Sequence, residues 1–222
     1  MRIAFYDMDK TITRAPTWAA FLVHAALNRA PWRLALLPAA GAASLAYLAG
    51  RIDRAGLKQA TQRLMLGGAV VPQAMDALAA GFADRVARTG VLSGARARIA
   101  ADRAEGYRIV LATASHRYYA AAIAGRLGIA DVVATEAKRD AAGAILPELE
   151  GENCYGPAKL RMVEAWMAGQ GIARGDAQVR AYSDHVSDAP LLDWADEAFA
   201  VNAHGPLKTL ATERGWPLLD WR

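Results

Sequence analysis

Three strand-like runs, each ending in an acid or a hydroxyl, constrain this 222-residue chain more than any other feature: "IAFYD" (3–7), "YRIVLAT" (107–113) and "QVRAYSD" (178–184). Further strand-like runs, "DVVAT" (131–135) and "AFAVN" (198–202), alternate with helical stretches such as "YYAAAIAGRLG", "APLLDWADE" and "PLKTLATERG". Strands that alternate with helices predict an α/β fold with a mainly parallel, doubly wound sheet covered on both faces. Ligands of such sheets bind beyond the carboxyl ends of the strands. Asp7, Thr113 and Asp184 fall there, one per strand.

Residues 14–90 read differently. They hold no convincing strand, and their helical patterns break at Pro31, Gly50, Gly67–Gly68 and Gly90. "DRAGLKQATQRLML" opens on a helix cap at Asp53, and Met75, Leu78, Ala79, Phe82 and Val86 recur at helical spacing. The expected organisation is a catalytic core of residues 1–13 and 91–222, with a helical cap domain of residues 14–90 inserted after the first strand. "TEAKRDAAGAILPELEG" predicts a small hairpin turning near Asp140 to Gly143.

Charge is unevenly spread. Between residues 14 and 63, Arg14, Arg29, Arg33, Arg51, Arg54, Lys58 and Arg63 face Asp53 alone, a local balance of +6 in a chain of net charge +4. This predicts an anionic partner near the first third of the chain. No aromatic-studded basic stripe or zinc spacing points to nucleic acid. The single Cys154 excludes an internal disulfide and reads as a packing residue. The acidic, strand-like start is unlike a signal peptide, so a cytoplasmic protein is expected, free or at the inner face of the membrane. The uncharged run "LALLPAAGAASLAYLAG" (34–50) is short for a span and contains Pro38. It predicts a helix that is buried or forms a homodimer, with a peripheral membrane contact through 31–50 as the alternative.

Four short motifs occur in a fixed order: "DMDKT" (7–11), Thr113 in "IVLATAS", Lys159 in "CYGPAKL", and Asp184 with Asp188 in "YSDHVSDAPLL". Singly each is weak. As a set, over nearly the whole chain, they resemble the haloacid dehalogenase-like (HAD) phosphohydrolases, and more closely subfamily IB, the phosphoserine-phosphatase-like members. "GENCYG" and "GWPLLDW" resemble a bacterial branch of that subfamily. The resemblance implies a Rossmann-like core, a helical cap after the first motif, and Mg2+.

The residue chemistry agrees with that resemblance. Two carboxylates aimed out of one strand end need a cation between them, and a Mg2+ ion held by Asp7, Asp184 and the backbone carbonyl of Asp9 would supply it. Asp7 would attack phosphorus and form an aspartyl-phosphate, and Asp9 would protonate the leaving oxygen and then deprotonate water. Thr113 and Lys159, with Thr11, would bind the phosphoryl group and offset its charge. Asp188 would play a supporting role, orienting a metal-bound water. Lys10 stands where many relatives have Gly, and His185 replaces a small residue of the fourth motif. His116, just past the second motif, either faces the phosphate or lies at the surface.

Substrate identity depends on the cap. Phosphoserine needs a carboxylate for its ammonium group, yet from Ile12 to Ala104 there is no Glu and the only acids are Asp53, Asp76, Asp84 and Asp102. The expected activity is therefore that of a phosphatase acting on a phosphate monoester of a small molecule or a lipid, phosphatidylglycerophosphate being the sharper candidate. The alternatives are a phosphoserine or other metabolite phosphatase, a phosphotransferase or mutase, and a non-catalytic binding protein.

Overall fold

The computed structural model describes residues 1–222. Its seven-stranded sheet has the order β4-β3-β2-β1-β5-β6-β7, with β1 (Arg2–Tyr6) at the centre, between β2 (Arg108–His116) and β5 (Gln178–Ser183). Strands β3 (Asp131–Arg139), β6 (Glu197–Val201) and the two-residue β7 (Leu218–Leu219) pair in parallel, and only β4 (Ile145–Glu150) is antiparallel. The doubly wound, mainly parallel expectation is met. The hairpin forms too: its turn is held by Asp140, whose carboxylate accepts from the backbone of Ala142 and Ala144 at 2.9 and 2.8 Å.

Tyr6 pairs with Leu111 on one side and with Tyr182 on the other. The carboxyl ends of the three central strands are therefore level, and the residues just beyond them share one rim. Four of the five β1 residues are buried, because the strand is covered on both faces. Ala4 and Tyr6 face helices α5 (Ser93–Ala104) and α6 (Arg117–Arg126), while Ile3 and Phe5 face α7 (Pro157–Gly169), α8 (Ala189–Trp194) and α9 (Gly205–Arg214).

Between β1 and α5 the chain forms α1 (Trp18–Arg29), α2 (Leu37–Leu48), α3 (Arg54–Leu66) and α4 (Pro72–Arg85). It leaves and re-enters the core at adjacent points: Arg14 N–H donates to Gly90 O and Leu92 N–H to Ile12 O. Asp53 caps α3 through Gly56 N–H at 2.7 Å. Met75, Leu78, Ala79, Phe82 and Val86 are all buried, in one apolar cluster with Phe21 of α1 and Tyr119 and Ile123 of α6.

Two readings of the sequence need correction. No residue of α2, or of the 3-10 turn Pro31–Leu36 before it, is buried, so the apolar run 34–50 is not a core helix. No helix is long and apolar enough to cross a membrane. Secondly, the local excess of arginine is largely committed to the fold. Arg29 donates to Leu66 O and Arg33 donates to Leu64 O at 2.8 Å, satisfying carbonyls at the end of α3, and Arg63 pairs with Glu148.

Candidate active site

The rim above β1, β2 and β5 encloses a cavity of about 140 Å³ whose wall carries Asp7, Asp9, Thr113, Lys159, Asp184 and Asp188 together. Arg54 of α3, Tyr155 and His185 close its far side.

Asp7 follows β1 directly, and its N–H donates to Tyr182 O at 2.9 Å. Beyond it the chain turns tightly, with Lys10 at φ 61°, a left-handed conformation that costs a non-glycine residue about 1 kcal/mol. That strain explains why glycine suits this position. The turn aims Asp9 back over the rim. Its Oδ1 accepts from Thr17 N–H at 2.9 Å and from the Thr17 hydroxyl at 2.7 Å, and its Oδ2 accepts from the Ser115 hydroxyl at 3.3 Å. Thr11 is fully buried beneath Asp7, its hydroxyl 3.5 Å from Oδ2, and is not on the cavity wall.

Strand β2 reaches Thr113 and then bulges. Thr113 pairs with Ala134 and His116 with Thr135, so β2 advances three residues where β3 advances one. The bulge brings Thr113 and Ala114 to the cavity, as bulges often re-aim side chains beside functional sites. It also carries His116 inward. His116 is fully buried, stacked on Tyr118 with ring centres 5.0 Å apart and 4.9 Å from Trp18, with no partner for either ring nitrogen. It neither lines the cavity nor reaches the surface, contrary to both expectations.

Lys159 enters from the first turn of α7, after Gly156 at φ 60°. Its ammonium donates to Asp7 Oδ1 at 2.7 Å and to Asp188 Oδ2 at 2.6 Å. The Ser183 hydroxyl adds a third hydrogen bond around this group, to Asp188 Oδ2 at 2.7 Å, whereas the buried Asp188 Oδ1 has no partner. Asp184 follows β5, and its backbone carbonyl is fixed by His204 Nδ1 at 2.9 Å. The His204 ring stacks on His185 at 4.3 Å.

Burial dominates the electrostatics. It pushes the Asp7 carboxyl up to about 7 against the pull of Lys159, and Asp184 up to about 6, with Asp188 adding to the rise. Asp9 is also raised by burial, opposed by its bonds to Thr17 and Ser115. Lys159 stays protonated, because Asp188 and Asp7 outweigh the cost of burying it. One ammonium therefore serves a rim of several carboxylates, and the deficit of positive charge suits a hard cation. No three acidic, imidazole or thiol side chains converge to hold an ion alone. Asp7 and Asp184 both stand on the cavity wall, and carboxylate oxygens joined by a backbone carbonyl are the donor type a hard cation takes. Cys154 is buried with its thiol pushed up to about 12, which makes it inert.

Several residues of the site carry no spacing signal in the sequence: Thr17 and Ser115 on Asp9, Ser183 on Asp188, and Lys58. From α3, the buried Lys58 donates to Ala114 O and to Asn153 Oδ1, the latter at 2.6 Å, tying the helical segment to the bulge beside Thr113. Burial pushes its ammonium down to about 7.

Comparison with known proteins places the fold and the family. A curated relative, "Phosphoserine phosphatase SerB1" of Mycobacterium tuberculosis, is 34% identical over 117 residues, which are 53% of this chain and 37% of the relative; the match thus spans little over a third of that protein. A crystal structure of a protein of unknown function from Bordetella pertussis superposes with a TM-score of 0.89 at 25% identity, covering 100% of this chain and 99% of that one. A substrate-bound phosphoserine phosphatase complex shares the fold at a TM-score of 0.64 and 16% identity, over 98% of this chain and 91% of its own. The sequence profile of the haloacid dehalogenase-like hydrolases matches residues 4–193, and the chain belongs to that family.

Proposed function

We propose that this protein is a phosphomonoesterase that works through an aspartyl-phosphate on Asp7, with residues 14–90 as a cap over the rim of the core. The carrying observation is the buried Lys159 ammonium between Asp7 and Asp188, on a wall that also holds Thr113 and Asp9. Asp7 Oδ2 is free of Lys159 and is the oxygen available to attack phosphorus. Asp9, raised by burial and oriented by Thr17, donates its proton to the leaving oxygen and then removes one from the attacking water. Lys159 and the Thr113 hydroxyl hold phosphoryl oxygens. Mg2+ bound by Asp7, Asp184 and the Asp9 carbonyl would supply the positive charge that lets an anionic ester approach a carboxylate.

The four acids of the helical segment and α5 bear on the substrate. Asp53 caps α3, Asp84 pairs with Arg126, and Asp76 is exposed on α4. Asp102 is buried with Tyr6, Arg98 and Arg180. None lies on the cavity wall, whereas Arg54 does. This supports a small phosphate ester with an anionic or neutral leaving group over phosphoserine. A lipid phosphate such as phosphatidylglycerophosphate is the second reading, favoured by the exposed apolar α2.

The test is phosphate release, with and without Mg2+, from phosphoserine, sugar phosphates, nucleotides and micellar phosphatidylglycerophosphate, with Asp7→Asn as the control. The reading expects Mg2+-dependent release by the wild type alone. An Asp7→Asn variant turning over near the wild-type rate would overturn the nucleophile, and labelled phosphate passing only to an added alcohol would make the protein a phosphotransferase.

A further inference from the structure

Helix α2 carries no charge, its only polar side-chain groups are the hydroxyls of Ser44 and Tyr47, and it buries none of its residues. Leu37, Gly41, Leu45 and Leu48 follow one another at spacings of four, four and three, so they form a single stripe. Leu37, Leu45 and Leu48 are 46%, 68% and 77% exposed, and Trp32, in the turn before the helix, is 64% exposed. An unfilled apolar groove of about 320 Å³ runs between α1, α2 and α3, with Leu22, Leu37, Leu57 and Met65 in its wall. A patch of this kind on a folded chain marks a surface that something covers.

Charge decides between the candidates for that role. From Arg14 to Ile52 there is no acid, and the first one, Asp53, is taken up as the cap of α3. Arg33 stacks on the Trp32 ring at 4.7 Å, and Arg51 stands exposed three residues beyond the helix. Two copies of this chain meeting through α2 would bring arginines of like charge together. An anionic bilayer instead meets Arg51 with headgroups and the leucine stripe with acyl chains. Trp beside Arg at the edge of an apolar stripe is the pattern of a helix that lies in the membrane interface. We infer that the α2 face, with Trp32 and Arg51, is a docking surface for an anionic lipid bilayer, on which the helix lies flat without spanning.

The inference is independent of what the active site hydrolyses, so its test uses binding alone. The full chain is sedimented with vesicles of phosphatidylcholine alone and of phosphatidylcholine with phosphatidylglycerol, at low and high salt. Binding to the anionic vesicles is expected, weakened by salt, and weakened about tenfold or more by Leu45→Glu/Leu48→Glu. Unchanged thermal melting of that variant shows that the fold survives. Absence of wild-type binding would overturn the inference, as would equal binding by the variant. A wild-type dimer in sedimentation equilibrium that the variant converts to monomers would assign the face to a second copy instead.

Discussion

Lys159 and Asp188 lie 29 residues apart and meet at 2.6 Å, although each is almost wholly buried. The same Asp188 oxygen also accepts from Ser183, so its carboxylate is fixed and in turn fixes the ammonium against Asp7 Oδ1. In the proposed reaction Asp188 would act through Lys159, as a positioning residue. Asp188→Asn keeps the shape and removes the charge that anchors the ammonium. It should lower kcat about tenfold to a hundredfold with little change in KM, as loss of positioning does. Steady-state kinetics beside Asp188→Ala check this; an unchanged kcat in the Asn variant would refute the positioning role.

Lys58 introduces a pH dependence into folding. Its ammonium is pushed from an ordinary 10.5 down to about 7 by burial, so the unfolded chain binds more protons there than the folded one between those values. Stability should accordingly fall as pH is lowered from about 10.5 to about 7, by up to about 1.4 kcal/mol per pH unit. Lys58→Met has no such group, and its denaturation midpoint should lack that slope when both proteins are titrated with urea between pH 7 and 9.5. It should also lose turnover, because Ala114 O and Asn153 lose their donor beside Thr113.

His116 acts at lower pH. Its ring is buried without a partner for either nitrogen, and burial holds it neutral, well below its ordinary value. A depressed value means that stability is present above the unfolded-state value of about 6.5 and is lost as pH falls below it. His116→Phe keeps the stack between Trp18 and Tyr118 and removes two unsatisfied nitrogens, each costing about 1–3 kcal/mol when buried. The variant should be at least as stable as the wild type at pH 7, and its advantage should widen toward pH 5 in calorimetric melts.

The central strands are legible because both their faces are largely buried, so "IAFY" is a short apolar run and "QVRAYS" a strand-like one, each ending at the rim. The helices of 14–90 were legible from Asp53, Pro31 and the glycines, since caps and breakers act locally. The fate of residues 34–50 was not, because hydropathy reports that a helix is apolar and says nothing of what packs on it. The place of His116 is not legible because it lies at a register shift in β2 that leaves it buried, and bulges leave no local signature. The partners of Asp9 and Asp188 were invisible for a related reason. Thr17, Ser115 and Ser183 are ordinary polar residues until the sheet brings three strand ends together. Arg29 and Arg33 counted as free charge in the sequence, whereas the exposed carbonyls of α3 engage them.

Asp184 gives a test of the cation that does not depend on turnover. Its carboxyl is raised to about 6 by burial and by Asp188, and no ammonium or guanidinium pairs with it. A cation that binds only the folded chain stabilises it, by about 2.7 kcal/mol at a hundredfold excess over Kd. For a domain of this size that is about 5–10 °C in Tm. Since proton and metal compete for the same oxygens, and Asp7 is raised to about 7, the shift produced by Mg2+ should be full only above about pH 8 and shrink as pH falls through 7 and 6. Asp184→Asn should abolish the shift at every pH. It should also raise the metal-free Tm, because an amide at that buried position carries no charge to desolvate. Differential scanning fluorimetry of both proteins, with Mg2+ and with chelator, reads all three effects. An unaltered Mg2+ shift in the variant would remove Asp184 from the ligand set.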